Sequence, residues 1–147
     1  MANTNAISAY RETRIKTASQ GQLIIMLYDE AVKCLDRALG LLEMNTKGKK
    51  DPGKIEYINK SILKTQEIIT ELSVSLDFDN GGEIAQNLFS LYTWFNQELL
   101  EGNIKQDQER IKTVRSMIDD LRTAWHEIAA SVPENARKVV GGINLEG

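Results

Sequence analysis

The chain has 147 residues, 41% of them hydrophobic, with 18 Lys and Arg against 21 Asp and Glu for a net charge of −3. That is enough chain for one domain with its own core, and the mild acidity speaks against nucleic acid or an anionic membrane surface as the main partner. One cysteine and one histidine exclude an internal disulfide and a four-ligand structural zinc site.

Residues 1–18 carry few large apolar groups, Ile7, Tyr10 and Ile15, and read as a short helical cap segment. There is no charged-then-apolar leader layout and no apolar run of membrane-spanning length, so the expected location is the cytoplasm and no membrane insertion is expected. The first long helix is expected over about 19–44. Ser19 and Gln22 have capping-box spacing, and positions 24, 28, 31, 35, 38 and 42 alternate steps of four and three, the period of a helix–helix seam.

This helix is apolar well beyond one seam. Ile25, Val32 and Leu39 line one flank, Leu27, Cys34 and Leu41 the other, and Leu23, Met26 and Met44 fall outside both. Either the helix is central to the fold, or part of its surface awaits a partner.

Asp51-Pro52 opens a second helix, about 51–78, with an acid at the N-cap and proline in the first turn. Ile55, Ile58, Ile62, Ile69, Leu72 and Leu76 keep the same period. The stretch "DFDNGGE" interrupts it and suggests a new start at Asn80. A third helix, about 80–101 and ending near Glu101-Gly102, carries Ile84, Leu88, Leu91, Phe95 and Leu99, with Ala85, Phe89, Tyr92 and Trp94 as apolar surplus. A fourth, about 103–131, carries Ile111, Val114, Ile118, Leu121, Trp125 and Ile128 and stops before Pro133. Residues 132–147 read as a flexible tail.

Four helices of similar length with short connections predict an all-α, antiparallel up-down four-helix bundle over 19–131. Its expected core includes Ile24, Tyr28, Ala31, Leu35, Leu72, Leu88, Leu91, Phe95, Leu121 and Trp125.

No catalytic constellation, metal site or cofactor-binding motif stands out. A ferritin-type di-iron site needs two inward Glu-x-x-His motifs, and the single histidine, His126, has Thr123 where the glutamate would stand. A histidine phosphotransfer bundle is the enzymatic alternative, but its usual lysine and glycine are Ala129 and Ala130 here. A regulatory bundle that dimerises through its apolar surface is a third reading. Cys34 reads as a small buried hydrophobe, and Gly81-Gly82 as a turn without the strand or lysine of a phosphate loop.

Tyr10 ahead of "TASQGQLIIMLYDEAV", then "IITELSVSLD", "GGEIAQNLFSLYTWF", "ELLEGNIKQD" and "LRTAW" occur in an order and at separations that resemble the flagellin-specific export chaperones, the FliS family. The likeness covers about residues 7–128. It implies a non-enzymatic cytoplasmic chaperone that binds the disordered C-terminal segment of flagellin. Such a chaperone blocks premature polymerisation and delivers its cargo to the gate of the flagellar type III export apparatus.

By position, Ile7 and Tyr10 match the family's N-terminal segment, which can cover part of the cargo surface; Leu23, Met26, Leu27 and Tyr28 match its "qLi.mLY" signature. The expected flagellin-binding or capping set is therefore Ile7, Tyr10, Leu23, Met26, Leu27 and Trp94, with Tyr28 assigned to the core. The chain departs from the family pattern at Gln20, often proline, and Glu30, often glycine.

Overall fold

A computed structural model describes residues 20–131. Among them are four α-helices and no strand: α1 Gln20–Lys47, α2 Pro52–Val74, α3 Phe78–Lys105 and α4 Gln108–Ser131. The expected N-terminal helical segment and C-terminal tail lie outside the described residues. Each helix packs on its sequence neighbours and α1 also packs on α4. The result is the antiparallel up-down bundle that the periodicity implies, with α1 diagonal to α3.

Local chemistry explains where the helices stop and start. Asp51 caps α2, its Oδ1 accepting from the Gly53 amide at 2.9 Å, with Pro52 following in the first turn. α2 ends at Val74 rather than near 78, and the Ser75 hydroxyl folds back onto the Glu71 carbonyl at 2.7 Å. The cap of α3 is Asp77, which accepts from the Asn80 amide at 3.1 Å, so α3 starts two residues before Asn80. At Gly82 the backbone takes φ +51° and kinks the helix, a conformation that favours glycine.

Gly102 does not end α3. It is buried, and a Cβ there would meet Ile111 Cγ1 at 2.8 Å. Its missing side chain lets α3 and α4 approach closely, and the left-handed cap falls later, on Gln106 at φ 52°.

The expected core residues Ile24, Tyr28, Ala31, Leu35, Leu72, Phe95 and Trp125 are all buried, while Leu88, Leu91 and Leu121 are half-buried and pack on the core's rim. Two apolar seam positions turn outward: Ile84 is 64% exposed and Ile55 is exposed. On α3 the deepest rows are instead Ala85, Tyr92 and Leu99 with Phe95 and Gly102. Tyr92 thus belongs to the core and not to the surplus.

A ladder of polar links ties α1 to α4, its three rungs stepping seven residues at a time in opposite directions. Asp29 meets Arg122 at 3.3 Å, Asp36 meets Arg115 at 2.8 and 3.1 Å, and Glu43 accepts from Gln108 at 2.6 Å. Asp36 holds the Arg115 guanidinium above its usual pKa, and Asp119 followed by Asp29 does the same for Arg122. Lys64 and Glu30 join α2 to α1 at 3.1 Å.

These groups are partly exposed, so the ladder sets register more than it adds stability. In a double-mutant cycle at Asp36 and Arg115, urea unfolding is expected to give a coupling of about 0.5–1 kcal/mol that shrinks toward zero in ~1 M salt. A coupling that salt leaves unchanged would refute a screened surface pair.

Candidate functional site

The surplus apolar character of α1 is used inside the bundle. Ile25 and Val32 are buried on the flank from which Asp29 and Asp36 reach α4, and Leu27 and Cys34 on the flank from which Glu30 reaches α2. A helix with a neighbour on each side needs a broader apolar band than one with a single neighbour. Leu23 and Leu27, expected as contact residues, are 2% and 4% exposed, whereas Met26 is half-buried and Trp94 is exposed. Ile7 and Tyr10 lie outside the described residues.

The exposed large apolar side chains fall elsewhere. Apart from Met44 on α1, they sit on α2 and α3, and none sits on α4. Most of them follow the seam between α2 and α3, while Tyr57, Ile84 and Trp94 face elsewhere. Two polar links mark that seam: Asn103 Nδ2 donates to Asn59 Oδ1 at 2.7 Å, and Gln66 Nε2 donates to the Asn96 carbonyl at 3.1 Å. The linked residues are seven apart on each helix and run in opposite senses, so they fix the register.

Phe89 stands seven residues before Asn96, Leu100 four after it, and Leu63 four after Asn59. The helical repeat therefore sets all three beside this seam, and all three are exposed, at 47%, 51% and 43%. Exposed Ile55 and Ile104 extend the strip toward the end where α2 starts, and exposed Val74 and Phe78 extend it toward the other. The Phe78 ring meets Phe89 edge-on with centroids 5.9 Å apart. A long, mostly apolar strip crossed by a few amides results.

Of these residues, the sequence pattern marks only Phe89 as surplus. Leu63 and Leu100 each follow a buried neighbour, Ile62 and Leu99. Two adjacent apolar residues on a helix point about 100° apart, and that doubling was the available signal.

The chemical alternatives find little support. Among the described residues no group of three His, Cys, Asp or Glu side chains is arranged to hold a metal. His126 Nε2 lies 3.3 Å from Asp29 Oδ1, and the ring borders an open hollow with Arg122, Thr123, Glu127 and Ala130. Burial, followed by the charge of Glu30, pushes the Cys34 thiol above its ordinary pKa, which disfavours the reactive thiolate. No helix of the described residues is long and apolar enough to cross a membrane.

Comparison with known proteins places these features in context. A family model described as flagellar protein FliS matches residues 3–132. The chain is similar to the flagellar secretion chaperone FliS of Bacillus subtilis, 29% identical over 143 residues covering 97% of this chain and 99% of that protein. It is also similar to the protein of the same name from Salmonella typhimurium, 33% identical over 134 residues covering 88% and 93%. The protein of that name from Escherichia coli is 33% identical over 116 residues, covering 79% and 80%.

Proposed function

This chain belongs to the FliS family of flagellar proteins, and on that premise we propose that it is a secretion chaperone whose cargo is the C-terminal segment of flagellin. The cargo lies on the outer face of α2 and α3. Binding keeps flagellin from polymerising early, and the complex is then delivered to the flagellar export gate from the cytoplasm. One observation supports the seat: most of the exposed large apolar residues, Ile55, Leu63, Val74, Phe78, Phe89, Leu100 and Ile104, follow the α2/α3 seam. Monomeric proteins seldom leave such a strip uncovered unless it binds something.

The strip suits the cargo physically. A segment that is disordered until it binds loses several kcal/mol of chain entropy on ordering, so it needs a large apolar surface to offset that loss. From Phe89 to Ile104 the strip runs roughly 22 Å at 1.5 Å per residue, room for four turns of an amphipathic helix. Such a helix would present anchors at i, i+3, i+4 and i+7. The amides of Asn59, Gln66, Asn96 and Asn103 lie at the same seam, beside any polar group of the bound segment. No catalytic step is required.

Residues 1–18 complete the reading. Ile7 and Tyr10 are assigned to a cap near the start of α1, over the region of Leu23, Met26 and Leu27; Trp94, expected with them, stands four residues before Glu98 on the α4 side of α3 and is not part of the α2/α3 seat. Burial of Leu23 and Leu27 makes them supports beneath such a cap, and half-buried Met26 the better contact.

Calorimetry with a synthetic flagellin C-terminal peptide tests the proposal. The expected result is a 1:1 complex with Kd of about 1 μM or tighter and a negative heat-capacity change. A folded protein that shows no heat at ~50 μM peptide, where a millimolar Kd would already leave most of it empty, would sink the idea.

A further inference from the structure

A second apolar strip borders α3 on its other side. Arg110 and Glu98 meet at 3.3 Å and mark the seam between α3 and α4. Counting back by sevens from Glu98 gives Leu91 and Ile84; counting forward from Arg110 gives Met117 and Ala124, with Leu121 and Ile128 each four residues beyond. Leu91, Met117 and Leu121 are only partly covered by the core, Ile84 is 64% exposed, and Trp94, four before Glu98, is 37% exposed. The flagellin seat described above lies on the opposite flank of α3 and does not account for this strip.

We propose that residues 133–147 of the same chain lie along it. α4 is described as far as Ser131, and in the antiparallel arrangement that end of α4 lies beside the start of α3, close to Ile84. Residues 133–147 follow on from this mouth of the strip. By contrast, α1, from which residues 1–19 depart, is diagonal to α3.

Pro133 cannot continue the helix hydrogen-bonding pattern, and eight residues of extended chain reach roughly 26 Å, the rise of about 17 helical residues. Val139, Val140, Ile143 and Leu145 can thus be carried back as far as Trp94 and Met117. Arg137 and Lys138 precede them, and the outer face of α4 offers Asp120 and Glu127, seven apart and exposed. The basic pair is complementary in charge to these acids, and the apolar residues that follow it suit the strip. The match to the family model ends at residue 132.

Acrylamide quenching of tryptophan fluorescence tests it on the full-length chain, without cargo. There are two tryptophans, and Trp125 is 5% exposed, so quenching reports chiefly on Trp94. Changing Val140, Ile143 and Leu145 together to serine is expected to raise the Stern–Volmer slope about twofold, as an apolar cover is lost from the indole. The rise should vanish in the Trp94→Phe background.

An unchanged slope overturns the proposal. So does a rise that persists in the Trp94→Phe background, since the segment would then act through the core. A slope that depends on protein concentration overturns it as well, because the cover would be a second copy. None of these outcomes depends on whether flagellin binds.

Discussion

Aspartate at both Leu63 and Phe89 is expected to weaken binding of the flagellin C-terminal peptide a hundredfold or more, about 2.7 kcal/mol, while leaving the urea midpoint close to that of the parent. The two effects separate because the side chains are 43% and 47% exposed in the free protein. Substitutions at such surface positions usually change stability by only about 0.5 kcal/mol. In the complex the same positions would be covered by an apolar cargo face, and a carboxylate there would be desolvated without a partner. Calorimetry and urea unfolding on the same preparation read both quantities.

Thr113→Asp on the exposed side of α4 supplies the control, since it adds a charge far from the α2/α3 seam. If the double variant binds normally while Met26→Asp does not, the cargo seat belongs at the start of α1 and the α2/α3 assignment is wrong. If the double variant unfolds, Leu63 and Phe89 are structural.

The contrast between α1 and α3 shows what a sequence can and cannot disclose. On α1 the step of three and four picked out Ile24, Tyr28, Ala31 and Leu35, and each is buried. The Asp51-Pro52 pair marked the start of α2 because capping is local chemistry. What stayed illegible was how fully each helix's two neighbours cover it. A broad apolar band is the same string of residues whether both flanks are buried, as on α1, or left partly open, as on α3. Only the arrangement of the bundle separates the two cases.

Gly102 failed as a boundary signal for a related reason. A glycine near a helix end suits a left-handed cap, but here Ile111 needs the space, and that requirement comes from another helix. The ladder of Asp29, Asp36 and Glu43 with Arg122, Arg115 and Gln108 was written at intervals of seven in both segments. It acquired meaning only once α1 and α4 were known to be adjacent.

The buried tyrosine pair leads to the second large effect. Tyr28 on α1 and Tyr92 on α3 lie across the bundle diagonal with their hydroxyls hydrogen-bonded, and the Tyr28 ring stands 6.3 Å from that of Trp125 on α4. Either Tyr→Phe substitution breaks the bond and strands the other buried hydroxyl, so each is expected to cost about 1–3 kcal/mol.

The double variant should be more stable than Tyr28→Phe alone, because it no longer buries the Tyr92 hydroxyl without a partner. Urea unfolding of the three variants checks the order, and simple additivity would show that the hydroxyls act independently. Burial also pushes the Tyr28 hydroxyl up to about 12 and raises that of Tyr92 further. The unfolded chain releases these protons near pH 10, so the folded state keeps its full advantage below that pH and loses it as pH rises toward 12. The double phenylalanine variant, lacking both groups, should unfold less steeply over that interval than the parent.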